Sequence, residues 1–329
     1  MTRTIKLILI IAAGVLVLGL AIVCLAVFFM DGLRSTGDRT AHTQSFPADL
    51  SAIYTDLSSA SIRVHRTDGD EIVVSWYDTE NHRIRAEATG GRLEICMDVQ
   101  NRPWYAGIGL WGFDVSNHQV EIGIPADFTG ALELNGSSGN MTLEDLDLRR
   151  GLALSLTSGD VTLWEVNCAE DLRLSFTSGD VTLREVSCAG DLGLSFSSGG
   201  VQLTDVSAAG RLSIDGTSGG ITGQDVDCGD FWADGTSGRL KVSRLQADTV
   251  YARLTSGNLS LEDMDAAHSI CLETTSGRIR CSVPDAISAY SIRSGTTSGS
   301  CDLPSQADYG AKQLEVHATS GDIKFQFGQ

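Results

Sequence analysis

The sequence predicts an all-β protein: a parallel, right-handed β-solenoid of about ten rungs of ~20 residues, preceded by an N-terminal transmembrane helix. Three observations predict it. A Ser-Gly pair recurs ten times at near-constant spacing, apolar and polar residues alternate on either side of each pair, and an uncharged apolar run stands near the N-terminus.

The Ser-Gly pairs begin at Ser138, Ser158, Ser178, Ser198, Ser218, Ser237, Ser256, Ser276, Ser298 and Ser320, separated by 20, 20, 20, 20, 19, 19, 20, 22 and 22 residues. Around Ser178, Leu172, Leu174 and Phe176 alternate with Arg173, Ser175 and Thr177; after the turn, Val181 and Leu183 alternate with Thr182 and Arg184, followed by Val186 and Cys188. A period of two places the apolar set on one face of a strand. The same set recurs as Leu152, Leu154, Leu156, Val161, Leu163 and Val166, and again as Leu192, Leu194, Phe196, Val201, Leu203 and Val206. Each repeat therefore reads as two short strands joined at a Ser-Gly corner. One copy cannot bury its apolar side, but copies stacked at about 4.8 Å can, giving a rod on the order of 45 Å long. Gly supplies the corner's unusual backbone, and Ser and Thr hydrogen-bond the turn. The right hand follows from the general preference of parallel crossovers.

Leu7 to Met30 carries no charge over 24 residues. As a helix it is about 36 Å long, enough to cross a hydrocarbon core of about 30 Å. It is longer than the apolar core of a cleaved leader and ends in Val27-Phe28-Phe29-Met30, where small residues are absent. Arg3 and Lys6 precede it and favour a cytoplasmic N-terminus with the remainder outside. The chain divides into a cytoplasmic segment 1–6, the anchor 7–30, a polar stalk 31–44, an atypical β-rich cap region 45–130 and the repeat solenoid 131–329. The cap has strand-like alternation at Ser61–Val64, Glu71–Val74, Arg92–Ile95 and Gln119–Ile124 but no Ser-Gly corner, as expected of terminal units that close an apolar end. Within it, Trp104–Phe113 is apolar, Gly-rich and poorly periodic, and reads as a covering loop or a contact with a partner or membrane.

The net charge is −18, and from Asp31 onward 22 basic side chains stand against 42 acidic ones. Such a balance repels nucleic acid and suits a solvated surface.

The segment Gly-Ile-Pro-Ala-Asp-Phe at 123–128, followed by repeats of Leu-x-Leu-x-x-x-Ser-Gly-Asp-Val-x-Leu, resembles a bacterial β-strand-repeat family of unknown function whose members are described as adhesin-like. The resemblance covers residues 45–329. It implies a membrane-anchored envelope or surface protein, in some members linked to envelope stress, and it supplies no catalytic motif.

Candidate chemistry is sparse. After the Ser-Gly pair stand Asn140, Asp160, Asp180, Gly200, Gly220, Arg239, Asn258, Arg278, Ser300 and Asp322; arginine at two rungs breaks any calcium-binding carboxylate ladder, and the acids read as turn residues. Three positions before the pair, the outward row runs Ser155, Ser175, Ser195, Asp215, Asp234, Arg253, Glu273. On adjacent rungs Asp215 and Asp234 would stand about 5 Å apart, close to the separation of a retaining glycosidase's carboxylates; the ordinary reading is a solvated charge ladder. Trp232 and Tyr251 share an outward position on successive rungs and suit either a sugar or simple cross-strand packing. Seven cysteines lie beyond the anchor, an odd number, and Cys168, Cys188 and Cys228 share a register with Ala208, Ala247 and Ala266, a small corner position inside the coil. No metal spacing, phosphate loop or cofactor motif is present, so no cofactor and no metal are expected.

The function expected is a non-enzymatic, membrane-anchored extracytoplasmic scaffold or adhesin-like protein at the cell membrane. Its partners would be the membrane, through the N-terminal helix, and a cell-wall polymer, glycan or envelope protein; Trp232, Tyr251, Asp215 and Asp234 are the candidate contacts. The alternatives are an enzyme on envelope polysaccharide with Asp215 and Asp234 as its carboxylates, and a sensor partner reporting envelope stress.

Overall fold

A computed structural model describes residues 40–78, 82–99 and 118–328. The anchor Leu7–Met30, most of the stalk and the Trp104–Phe113 segment lie outside the described residues. Among those described, no helix is long and apolar enough to cross a membrane. The fold that follows is that of the compact unit Ala41–Gln329.

This unit is all-β, with a single short 3-10 turn at Ile287–Ala289 among its described residues. Its solenoid-like sheet is built from parallel, in-register strand pairs. Leu152–Ser158 pairs with Leu172–Ser178, Leu152 beside Leu172 and Ser158 beside Ser178; beyond the corner, Val161–Cys168 pairs with Val181–Cys188, Val161 beside Val181 and Cys168 beside Cys188. From Leu192 to Glu262 the same pairing continues through successive rungs, the chain turning at Gly199, Gly219, Gly238 and Gly257. The apolar residues of the repeat are buried, Leu163, Val166, Leu172 and Leu183 completely, and they join one continuous core. Parallel stacking repeats the same packing problem every rung, so the residue types repeat as well.

Two features of the corners set this register. The corner glycines from Gly139 to Gly321 have φ between 113° and 152°, a conformation that side chains resist. From Gly159 onward each also packs against the glycine of its neighbour: a Cβ on Gly179 would meet the Gly159 carbonyl oxygen at 1.9 Å, and one on Gly257 the Gly238 oxygen at 1.9 Å. Next to these glycines, Asx side chains bridge the rungs. Asn140 Oδ1 accepts the Asp160 N–H at 3.0 Å, Asp160 Oδ1 accepts that of Asp180 at 2.9 Å, and Asp180 Oδ1 accepts that of Gly200 at 2.7 Å. Asp171 and Asp191 do the same at the opposite corner, for Asp191 and Arg211. These acids serve the turns.

Each second strand bends through one left-handed residue. Asp145, Glu165, Glu185, Asp205, Asp225, Arg244 and Asp263 all have φ of 53–54°. The bend explains why the inward series runs Val161, Leu163, Val166 rather than continuing at 165. The residue in the left-handed turn points outward, and short polar side chains tolerate that conformation best.

At both ends the stacking order departs from the sequence order. Ala52–Leu57 pairs with Arg92–Val99 on one side and Ala131–Ser138 on the other; Ala60–Thr67 pairs likewise with His118–Pro125 and Met141–Leu148. The first rung is thus second in the stack, and Arg92–Val99 and His118–Pro125 form the outer one. Near the C-terminus, Asp265–Ser276 pairs with Lys312–Ser320, which in turn pairs with Tyr290–Ser298. The last rung therefore inserts between its two predecessors. Beyond the outer rungs the pairing becomes antiparallel, Glu71–Asp78 on His118–Pro125, His82–Thr89 on Arg92–Val99, and Gln306–Asp308 on Tyr290–Ser298. Antiparallel and short edges discourage end-to-end association of stacked sheets.

Candidate binding face

The outward side of the first strand of each rung forms a continuous polar face. Its central column runs through register partners: Ser155 beside Ser175, Ser175 beside Ser195, Arg253 beside Glu273, and Glu273 beside His317. Asp215 and Asp234 fill the two intervening rungs. Behind them stand Gly216 and Gly235, whose missing side chains leave room for core neighbours. A Cβ on Gly216 would meet the Phe196 ring at 2.5 Å, and one on Gly235 the Leu254 side chain at 2.6 Å. Phe196 in turn stacks on Phe176, with ring centroids 5.1 Å apart and planes 7° from parallel.

The two carboxylates are exposed or half-buried, and their settings differ. Partial burial, and secondarily the charge of Asp234, push the Asp215 carboxyl above its ordinary value. Two like charges on adjacent rungs favour sharing a proton or a counter-cation.

Trp232 and Tyr251 do come together: their rings stack with centroids 4.0 Å apart and an interplanar angle of 20°. Since the rings stack along the rung direction, each turns one face to the other and its edge to solvent. The Arg211 guanidinium lies 5.8 Å from the Trp232 ring and is held by Asp230 at 3.3 Å, while Asp230 also accepts from Thr249. Arg253 lies near Tyr251 and pairs with Glu273 at 3.8 Å; burial, then Glu273, raise the Tyr251 phenol. The four residues singled out in the sequence therefore share one patch, and Arg211 and Arg253 extend it. Arg211 carried no sequence signal, because its role depends on the ring packed beside it.

Two shallow depressions of about 420 Å³ each flank this patch along the face. One is lined by Ala153, Ser155, Arg173, Ser175, Gly193, Ser195, Ser213 and Asp215. The other is lined by Arg253, Glu273, Thr275, Gly295, Thr297, His317 and Thr319. Small side chains at successive rungs form the floor of the first, and the absent side chain of Gly295 opens the second.

The cysteines stand apart from this face. Cys168, Cys188 and Cys228 are buried and free, and burial pushes the thiol of Cys168 up to about 12 and that of Cys188 up to about 11. Such thiols behave as small apolar groups. Among the described residues, no group of three or more His, Cys, Asp or Glu is placed to hold a metal ion.

Residues 50–326 match the family model described as Toastrack DUF4097. The chain belongs to the Toastrack DUF4097 family. Several solved structures are similar in extent. A putative lipid binding protein from Parabacteroides distasonis is 15% identical, with a TM-score of 0.45, covering 89% of this chain and 98% of its own. A putative adhesin from Parabacteroides merdae is 13% identical, with a TM-score of 0.41 and coverages of 89% and 98%. A putative cell adhesion protein from Clostridium sporogenes is 9% identical, with a TM-score of 0.27 and coverages of 88% and 100%. At these identities and scores the likeness transfers no function to the Toastrack chain. No curated protein matches it.

Proposed function

We propose that this Toastrack protein is a non-enzymatic scaffold or adhesin-like component of the cell envelope, tethered by Leu7–Met30 with its repeat unit outside the membrane. Its stack is taken to wind right-handed, on the general preference of parallel crossovers. The face carrying Trp232, Tyr251, Asp215 and Asp234 contacts an extended partner: a cell-wall polymer, a glycan or an envelope protein.

The observation that supports this reading is the aromatic pair. Trp232 and Tyr251 stand stacked at 4.0 Å on a polar face, between two open depressions, with hydrogen-bonding side chains repeating at every rung. A long ligand lying along the stack would meet one such side chain about every 4.8 Å. The test is binding of the full chain to a panel of cell-wall polymers and glycans, with turnover followed in the same wells. Saturable binding without product, weakened in Trp232→Ala and Tyr251→Ala, is the expected result.

One observation favours a second reading. Asp215 is raised and sits beside Asp234, the setting from which a carboxyl group acts as a general acid. Product release that disappears in both Asp215→Asn and Asp234→Asn would establish an enzyme acting on envelope polysaccharide and displace the first reading.

A further inference from the structure

On the other outward face, that of the second strands, one section toward the C-terminal end of the stack gathers basic side chains in an otherwise acidic molecule. Just past the corner glycines, Arg239, Asn258, Arg278 and Asp322 occupy one position on four consecutive rungs, whose order is fixed by the contacts of Gly238, Gly257, Gly277 and Gly321. Two residues further along, the same rungs carry Lys241, Ser260, Arg280 and Lys324. Ser260 is the register partner of Arg280, and Arg280 that of Lys324. All five bases are exposed. Asp322, the one acid among them, accepts hydrogen bonds from the Ser300 backbone and hydroxyl at 3.0 and 2.8 Å and stands 4.0 Å from Arg278.

The other four bases, Arg239, Lys241, Arg280 and Lys324, have no carboxylate at ion-pair distance among the described residues. This contrasts with Arg63, Arg211 and Arg244, each paired with an acid on a neighbouring rung. Arg280 and Lys324 are like charges directly opposite one another on paired strands, an arrangement that is destabilising by itself. In a chain with 42 acidic side chains, a carboxylate at either position would remove the repulsion. The strip holds its charge instead.

We infer that this strip binds a linear polyanion, a phosphate- or carboxylate-bearing polymer laid along the stacking direction. Its dimensions argue for a thread. Four rungs extend about 14 Å and the two columns are about 7 Å apart. The strip is bordered by acids: Glu262 and Asp263 lie further along the second strand, and Asp180 and Asp160 lie further down the stack. A planar anionic surface would bring those acids against its own charge, whereas a single chain follows the bases and avoids them. Screening over about 8 Å at physiological ionic strength keeps the distant acids from cancelling the local field. On the approach side, Gly219 and Gly220 open a depression of about 430 Å³ that ends at Arg239 and Asn258, giving the thread a path onto the strip. This site is independent of the Trp232–Tyr251 face.

The test uses the full chain in a neutral detergent, titrated with long-chain inorganic polyphosphate and, separately, with orthophosphate. Polyphosphate binding is expected to weaken with salt at a log–log slope of roughly −3, as release of counterions at four or five contacts requires. The variant K241S/R280S/K324S is expected to lose at least about ten-fold in affinity and most of that slope, while K241R/R280K/K324R retains both. Equal melting temperatures of the variants and the parent would show that the fold is unaffected. Unchanged polyphosphate binding in the triple serine variant, or orthophosphate competing equally well at the same total phosphate, would overturn the proposal. So would a salt slope shared by all three proteins.

Discussion

The carbonyl oxygen of Gly179 lies 1.8 Å from the point where a Cβ on Gly199 would stand, and Gly199 itself has φ of 129°. Both facts belong to one column of glycines that lets the rungs close up at the corner. Gly199→Ala must therefore separate two backbones as well as strain one. The expected loss is about 3 kcal/mol or more, read from urea unfolding. Gly69→Ala is the comparison: nothing lies within 4 Å of its added Cβ, and a change within about 0.5 kcal/mol is expected. Equal effects at the two sites would show that the glycine column does not set the rung spacing.

Asp180 Oδ1 receives the Gly200 N–H at 2.7 Å. Asp180→Ala leaves that N–H to water and is expected to cost about 1 kcal/mol, while Asp180→Asn, which keeps an acceptor oxygen, should lose much less. A loss of the same size in both variants would point to the charge rather than the hydrogen bond.

Burial, then Asp234, raise the Asp215 carboxyl. The folded protein then holds this proton more tightly than the unfolded chain. Its contribution is fully present below the unfolded value near ~3.9, and it declines as pH rises through the raised folded value. Asp215→Asn removes a carboxylate that is costly to ionise. It should stabilise the protein at pH 7 by no more than about 0.5 kcal/mol after solvent screening, and leave stability unchanged at pH 3. Thermal melts at the two pH values decide it; a destabilised variant at pH 7 would mean that the carboxylate holds a favourable contact.

Trp232 and Tyr251 stack at 4.0 Å. A double-mutant cycle to alanine is expected to give a coupling of about 1 kcal/mol in stability. If the rings act only as separate ligand contacts, the two losses will add.

The rung was legible in the sequence because a stacked fold repeats one environment. Leu172, Leu174, Phe176, Val181, Leu183 and Val186 were assigned inward from alternation alone, and all are buried. The corner was legible because only glycine meets its backbone requirement. The face holding Asp215, Asp234, Trp232 and Tyr251 could be located by counting from the Ser-Gly pair, since register converts spacing into neighbourhood. The left-handed residue at Glu165 was hidden: its mark is one skipped position in the alternation, and an exposed glutamate looks the same on a straight strand.

The sequence by itself determined the all-β class, the rung length, the corner chemistry and the inward set, because each depends on residues within one repeat or at a constant spacing. The order of rungs at the two ends was decided by the tertiary structure alone. By spacing, Arg280 would be expected opposite Asp302, 22 residues later, as a neutralised pair. Instead the last rung inserts, Arg280 faces Lys324, and both Asp302 carboxylate oxygens turn to the Phe325 N–H at 3.0 and 3.1 Å. Rungs with the same corner and similar inward residues can stack in either order, so local pattern does not distinguish them. It is this order that sets Arg280 opposite Lys324 in the basic strip.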